Sequence, residues 1–208
     1  MKQIDLNNWN RKLLFEHFKN FADPYFSVVI PFNVSNAYEN SKSGNHSFFA
    51  RYLHDCMKAL NEVENLKYRI INDEVVKYDV IHASPTLMRS DKTFGFSFVR
   101  FDKNLDVFIN NINKEQDRIN NSAELYPSEE YRLDCIHCSA LPWVNFTGHK
   151  EPVSGQKDSV PKLAFSKAVE IDNKLIMNVA INVNHALVDG YHVSLFSEKF
   201  QEYLNHKQ

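Results

Sequence analysis

Asn184-His185-Ala186-Leu187-Val188-Asp189-Gly190 joins an apolar run, residues 175–183, to residues 191–204. The upstream run is rich in β-branched residues and reads as a strand. The Asp-Gly pair marks a turn, and Val193, Phe196, Phe200 and Leu204 then recur at helical spacing. The stretch is a strand-turn-helix unit with His185 at the mouth of the strand. Histidine ordinarily titrates near neutrality, so at such a position it can take and return a proton. Alone, an HxxxDG match favours a histidine packed beside a turn. The rest of the chain reverses that reading.

Outward from this unit, helices and strands interleave. Residues 7–21 read as a helix, with Trp9, Leu13, Leu14, Phe18 and Phe21 along one side. Residues 25–32 read as a strand, and the polar stretch 36–45 as a loop. Ser47 then caps a long amphipathic helix carrying Phe48, Tyr52, Leu53, Cys56, Met57 and Leu60. Residues 68–71 and 75–78 flank Asn72-Asp73-Glu74 and read as a hairpin. Strands follow at 84–88 and 94–101, then a helix marked by Leu105, Phe108, Ile109, Ile112 and Ile119. Residues 134–140, 143–146 and 163–169 are further strands. Because several strands follow each other directly, the pattern predicts an α/β fold: a two-layer sandwich with a mixed β-sheet and packed helices. At 208 residues the chain suits one domain, 1–208, better than two.

Composition narrows the function. Sixteen Phe, nine Tyr and two Trp are enough to line an apolar pocket as well as a core. A formal charge of −2 argues against nucleic acid or an anionic membrane as partner. The N-terminus lacks the apolar segment of a signal peptide. No run reaches the ~18 apolar residues of a membrane helix. Three cysteines are too few, and odd in number, for a disulfide framework, so a cytoplasmic setting is expected.

Cys135-Ile136-His137-Cys138 is formally a CxxC, but it lacks a second ligand pair and lies in a strand pattern. Packing, with no metal, is the expectation. Glu129-Glu130 reads as exposed rather than as acid/base machinery, His149 as a solvated loop histidine and His192 as a cap. Five dispersed glycines form no phosphate-cradling loop.

Four ordered blocks carry a resemblance. They are Asn8-Trp9-Asn10-Arg11-Lys12 with Phe15; Asn72-Asp73-Glu74-Val75-Val76 with Tyr78-Asp79; Ser139-Ala140-Leu141-Pro142-Trp143-Val144-Asn145-Phe146; and His185 to Val193. Through them the chain resembles the chloramphenicol acetyltransferases of the trimeric type, from about Leu6 to Leu204. The resemblance implies an enzyme that transfers acetyl from acetyl-CoA, as co-substrate, to a hydroxyl of a small-molecule acceptor, chloramphenicol by default.

On that basis His185 is the general base, acting as neutral imidazole, and Ser139 donates to the oxyanion. Asp189 pairs with Arg11 to support the site rather than orienting the base. A buried charge left unpaired costs roughly 3–5 kcal/mol. Asn145 is expected to hold the loop beside Ser139, or to serve as a plain turn residue. His17, Phe18, Phe26, Phe94 and Tyr126 match acceptor-lining positions, Phe94 and Tyr126 most strongly because each sits beside a turn. The resemblance further implies a homotrimer with the site at the subunit interface.

Three departures matter. Asn184 replaces the first His of the family's His-His pair, which is not expected to abolish activity; Ala164 stands where a water-holding Thr is common, which should slow the reaction modestly; and Thr147-Gly148-His149-Lys150-Glu151 replaces a more apolar stretch, which should change acceptor preference. The same chemistry on a different acceptor is therefore a competing reading. A non-catalytic trimeric binding protein is a third, opposed by the joint presence of His185, Ser139, Asp189 and Arg11.

Overall fold

The computed structural model describes residues 1–126, 132–153 and 155–206. The Glu129-Glu130 pair lies outside the described residues. In chain order the elements are β1 (Lys2–Gln3), α1 (Lys12–Phe18), β2 (Tyr25–Asn33), α2 (Ser35–Ser43), α3 (Phe48–Glu62), β3 (Tyr68–Ile71) and β4 (Glu74–Lys77). There follow β5 (His82–Met88), β6 (Phe94–Phe96), α4 (Leu105–Asn120), β7 (Cys135–Leu141), β8 (Lys162–Ser166), β9 (Val169–Ile171), β10 (Lys174–Asn184) and α5 (Gly190–Asn205).

Seven strands form the main sheet in the order β2-β10-β8-β7-β5-β6, with β9 also paired to β10; β1, β4 and β3 make a separate small sheet. The main sheet is mixed, as expected. β7 runs parallel to β5 and β8, whereas β10 is antiparallel to β8 and β2.

Side chains alternate between the two faces of this sheet. One face sends Ile136, Cys138, Leu163, Phe165, Val179, Ile181 and Val183 into the core. Helices α3 and α5 pack there: Tyr52 lies 4.9 Å from Phe165, and Phe200 4.8 Å from Phe32. The other face carries small and polar residues. Ser139, Ala164 and Ala180 are aligned across three strands, and His137, Lys162 and Asn182 form the next row.

Local chemistry explains the elements that match the sequence pattern. Asn72 and Asp73 have φ of 50° and 64°, which gives the two-residue turn that joins β3 to β4. The Ser47 hydroxyl accepts from the Ala50 N–H and caps α3. Burial pushes the Cys135 thiol up to about 12. Three positions apart on one strand, Cys135 and Cys138 also project to opposite faces. Both are free and buried, as packing requires.

Four local expectations are corrected. The stretch 36–45, expected to be a loop, is mostly helix α2. Its Asn/Ser composition hides a tertiary role: Asn36 and Asn40 donate to the Asn205 and His206 carbonyls and so cap the end of α5. Residues 143–146 are not a strand. Pro142 cannot continue the ladder, the Val144 N–H turns back to Leu141 O, and Trp143 and Val144 are exposed. The strand expected over 94–101 is confined to Phe94–Phe96, with an isolated bridge between Ala83 and Val99. Finally, α1 covers only part of the predicted 7–21 helix, because residues 7–11 form turns ahead of it.

Candidate active site

His185 follows the last residue of β10. Its N–H donates to Pro24 O at 2.8 Å, which carries the ladder toward β2 one residue past the strand end. Phe18 stacks on the imidazole, with centroids 4.3 Å apart and planes 13° apart. Phe26 packs on it at 4.7 Å, tilted by 50°. Ring Nδ1 lies 3.1 Å from Val188 O. A carbonyl can only accept, so Nδ1 carries a hydrogen, and in the neutral imidazole Nε2 is then the nitrogen with the lone pair. That tautomer is the one a base acting through Nε2 requires.

Asp189 sits four residues on and does not touch the ring. Its carboxylate caps α5 through the Tyr191 N–H, and its own N–H donates to His192 Nδ1 at 3.2 Å, completing a capping box. Arg11 Nη1 donates to Asp189 Oδ2 at 2.5 Å, and Nη2 donates to His185 O at 3.4 Å. Burial pushes the Asp189 carboxyl up, but the Arg11 hydrogen bond and the charges of His192 and Arg11 outweigh it. The carboxyl is held below its ordinary value. Burial keeps His192 below the usual imidazole value despite the pull of Asp189. Arg11 thus grips the turn at both its side-chain and main-chain ends.

Ser139 lies elsewhere, in the middle of β7. It aligns with Ala164 and, through it, with Ala180. His185 is five residues beyond Ala180, ~17 Å along the strand, and two strand spacings, ~10 Å, across the sheet. The two side chains of one chain therefore do not meet. Among the described residues the Ser139 hydroxyl has no hydrogen-bond partner and is half-buried. It is a donor without a partner among the described residues, on the face turned away from α3 and α5. Asn145 Oδ1 accepts from Asn178 Nδ2 at 3.1 Å, which ties the loop after β7 to β10.

The aromatic residues divide the same way. Phe18 and Phe26 both pack on the His185 ring. Phe94 and Tyr126 lie at the opposite edge of the sheet and are linked through Phe96, which stacks on Tyr126 at 4.9 Å. Strand alternation puts Phe94 and Phe96 on the same face as Ser139. His17 is exposed and packs edge-on against Phe18. The candidate residues thus fall into two groups, candidate half-sites around His185 and around Ser139.

A cavity of about 290 Å³ adjoins the first half-site. Phe21, Tyr25 and Phe26 form one wall; His149, Lys150 and Glu151 form the other, above Asp158 and Lys162. The sequence singled out His149 to Glu151 and, as a departure from the family pattern, Asn184, but not Asp158 and Lys162, which line the same cavity. The available signal was the recurrence of polar residues, Asn182 and Asn184, at alternate positions toward the end of the strand. No group of three or more potential metal ligands occurs among the described residues, and no described helix is long and apolar enough to cross a membrane.

Comparison with known proteins brings these observations together. A family profile described as chloramphenicol acetyltransferase matches residues 1–201. Chloramphenicol acetyltransferase 3 of Escherichia coli is 24% identical over 207 residues, covering 99% of this chain and 97% of its own. The chloramphenicol acetyltransferase of Bacillus pumilus is 26% identical over 207 residues, covering 99% and 94%. A solved chloramphenicol acetyltransferase superposes with a TM-score of 0.90 at 30% identity, covering 99% of this chain and all of that one. A dihydrolipoamide acetyltransferase of Azotobacter vinelandii shares the fold, with a TM-score of 0.69 at 11% identity over 98% of this chain and 91% of that one.

Proposed function

The chain belongs to the chloramphenicol acetyltransferase family and is an acyltransferase; from that premise we propose that it acetylates a hydroxyl of chloramphenicol, with His185 as general base and Ser139 as oxyanion donor. Acetyl-CoA supplies the thioester carbonyl that is attacked. The observation that carries the proposal is the held imidazole: two aromatic rings fix its plane, and Val188 O fixes its tautomer. Nε2 takes the acceptor's proton as the acceptor oxygen attacks. Ser139 Oγ–H donates to the oxyanion that develops on the carbonyl, where a preorganised donor is worth ~100- to 1000-fold in rate. Arg11 and Asp189 keep the turn in place and move no proton.

Both residues act on one acetyl group only if they come from different copies of the chain. The register separation of His185 from Ser139 supports a site between subunits, and the family resemblance supports a homotrimer as the assembly. Copies arranged head to tail around a three-fold axis would bring each His185 half-site to a neighbour's Ser139 half-site.

A second reading keeps this chemistry and changes the acceptor. It is favoured by the charged cavity wall of His149, Lys150 and Glu151 beside Phe26, which suits a more polar acceptor than an aryl ring alone. Release of free CoA, followed with a thiol reagent in the presence of acetyl-CoA and chloramphenicol, tests both. Turnover that disappears in His185→Ala is the expected result. Silence with chloramphenicol, but turnover with another hydroxylated compound, establishes the second reading. Silence across a broad panel of acceptors overturns both.

A further inference from the structure

We infer that Asn184 is a positioning residue that ties the cavity wall to the tautomer of His185, an inference that rests on the reading of His185 as base. Asn184 closes β10 and is only 3% exposed, yet both ends of its side-chain amide and its main-chain oxygen are engaged. Its Oδ1 accepts from the Ala186 N–H at 2.9 Å, and its main-chain O accepts from the Leu187 and Val188 N–H groups, each at 3.0 Å. These three bonds coil the chain so that Val188 O returns to His185 Nδ1. One side chain thereby sets the position of the carbonyl that decides which ring nitrogen is free.

The other end of the same amide faces the cavity. Asn184 Nδ2 donates to Asp158 O at 2.9 Å. Asp158 is itself fixed: its carboxylate accepts from the Val160 N–H at 2.9 Å and from Lys162 Nζ at 2.9 Å. Asp158, Lys162 and Asn184 all line the 290 Å³ cavity. A continuous hydrogen-bonded path therefore runs from the cavity floor through Asn184 into the turn and ends at the imidazole. A buried amide with one end in the turn and the other on the cavity floor links acceptor seating to the base, which neither an apolar residue nor a pure turn former could do.

The two ends are separable by substitution. Asn184→Ala removes both. Asn184→Asp keeps an oxygen for the Ala186 N–H but has no hydrogen to give Asp158 O. The first readout is the tautomer of His185, from two- and three-bond ¹H–¹⁵N correlations of the imidazole, recorded well above the ordinary histidine value of about 6.5. It needs no turnover, so it stands even if chloramphenicol is not the acceptor. The second is the division between kcat and KM for whichever acceptor is turned over.

Asn184→Ala should shift His185 from the Nδ1–H form toward a tautomer mixture and lower kcat ~10- to 100-fold, as small misplacements of reacting groups do, with KM for acetyl-CoA unchanged. Asn184→Asp should hold the Nδ1–H form and most of kcat while raising the acceptor KM severalfold. An unchanged tautomer and kcat in Asn184→Ala, with only a lowered melting midpoint, would overturn the inference. Where Asn184→Ala does not fold, Asn184→Asp decides: a lost tautomer preference, or an acceptor KM equal to wild type, overturns it equally. If wild type turns over no acceptor, the tautomer in Asn184→Asp decides alone.

Discussion

The end of β10 and the middle of β7 hold their functional side chains in opposite ways. His185 is held by four contacts: a stacked ring, a tilted ring, a carbonyl at Nδ1 and a ladder bond at its N–H. Ser139 is fixed by its strand backbone alone, and its hydroxyl bonds to nothing among the described residues. With His185 as the proposed base and Ser139 as the proposed oxyanion donor of a neighbouring copy, the contrast follows from what each group would do. A base must present one nitrogen of two, and only surrounding contacts can choose it. A hydroxyl rotor can turn toward an oxyanion once a neighbouring copy brings the reaction to it.

The comparison is broken most directly at the base. His185→Ala should lower the turnover number by ~100- to 10,000-fold while leaving assembly and CoA binding intact, as sedimentation and calorimetric titration would register. Retained turnover would remove His185 from the chemistry. Ser139→Ala should cost ~100- to 1000-fold in kcat with little change in acceptor KM. A loss confined to KM would make Ser139 a binding residue instead.

Mixing the two inactive chains sharpens the division into half-sites. If each site takes His185 from one copy and Ser139 from the next, random co-assembly restores one intact pair at about a quarter of the interfaces. Co-expressed His185→Ala and Ser139→Ala chains should therefore recover about a quarter of wild-type activity per site. Recovery of none would place both residues of a site in the same chain.

Smaller effects concern support. Asp189→Asn should destabilise by ~1–2 kcal/mol, toward the lower end for a charged hydrogen bond because the carboxylate is partly exposed. The folded-state value of Asp189 is lowered. Its contribution is therefore fully present above the ordinary carboxylate value of about 3.9 and is lost as pH falls through the lowered one. The gap in melting midpoint between wild type and Asp189→Asn should close on acidification below that range; a gap that widened would reverse the assignment. Asn145→Ala, losing the Asn178 bond at an exposed loop position, should cost least, ~0.5–1.5 kcal/mol, with kcat reduced less than tenfold. A larger drop in kcat would mean that the loop after β7 steers Ser139 itself.

Much of this was legible in the residues. The ladder of β10, the hairpin between β3 and β4, the caps of α3 and α5 and the mixed sheet all follow from periodicity and turn chemistry, which act within a few residues. Helix α2 escaped because its Ser/Asn sequence earns its helicity from the end of α5, nearly 170 residues away. The false strand at 143–146 had suitable side chains, but Pro142 before it could not continue the ladder. His185, Ser139, Asp189 and Arg11 were recognisable from their motifs, and Arg11 does meet Asp189 across 178 positions of sequence.

The sequence alone encodes most of the elements, the family and the candidate site residues, because local pattern and motif carry those. Only the tertiary structure decided that Phe18 and Phe26 clasp the base while Phe94 and Tyr126 stand with Ser139 on the other half of the sheet. Only it brought Asn184 against Asp158. Strand order and register set such distances, and both arise from contacts between segments far apart in the chain, which no window of the sequence contains.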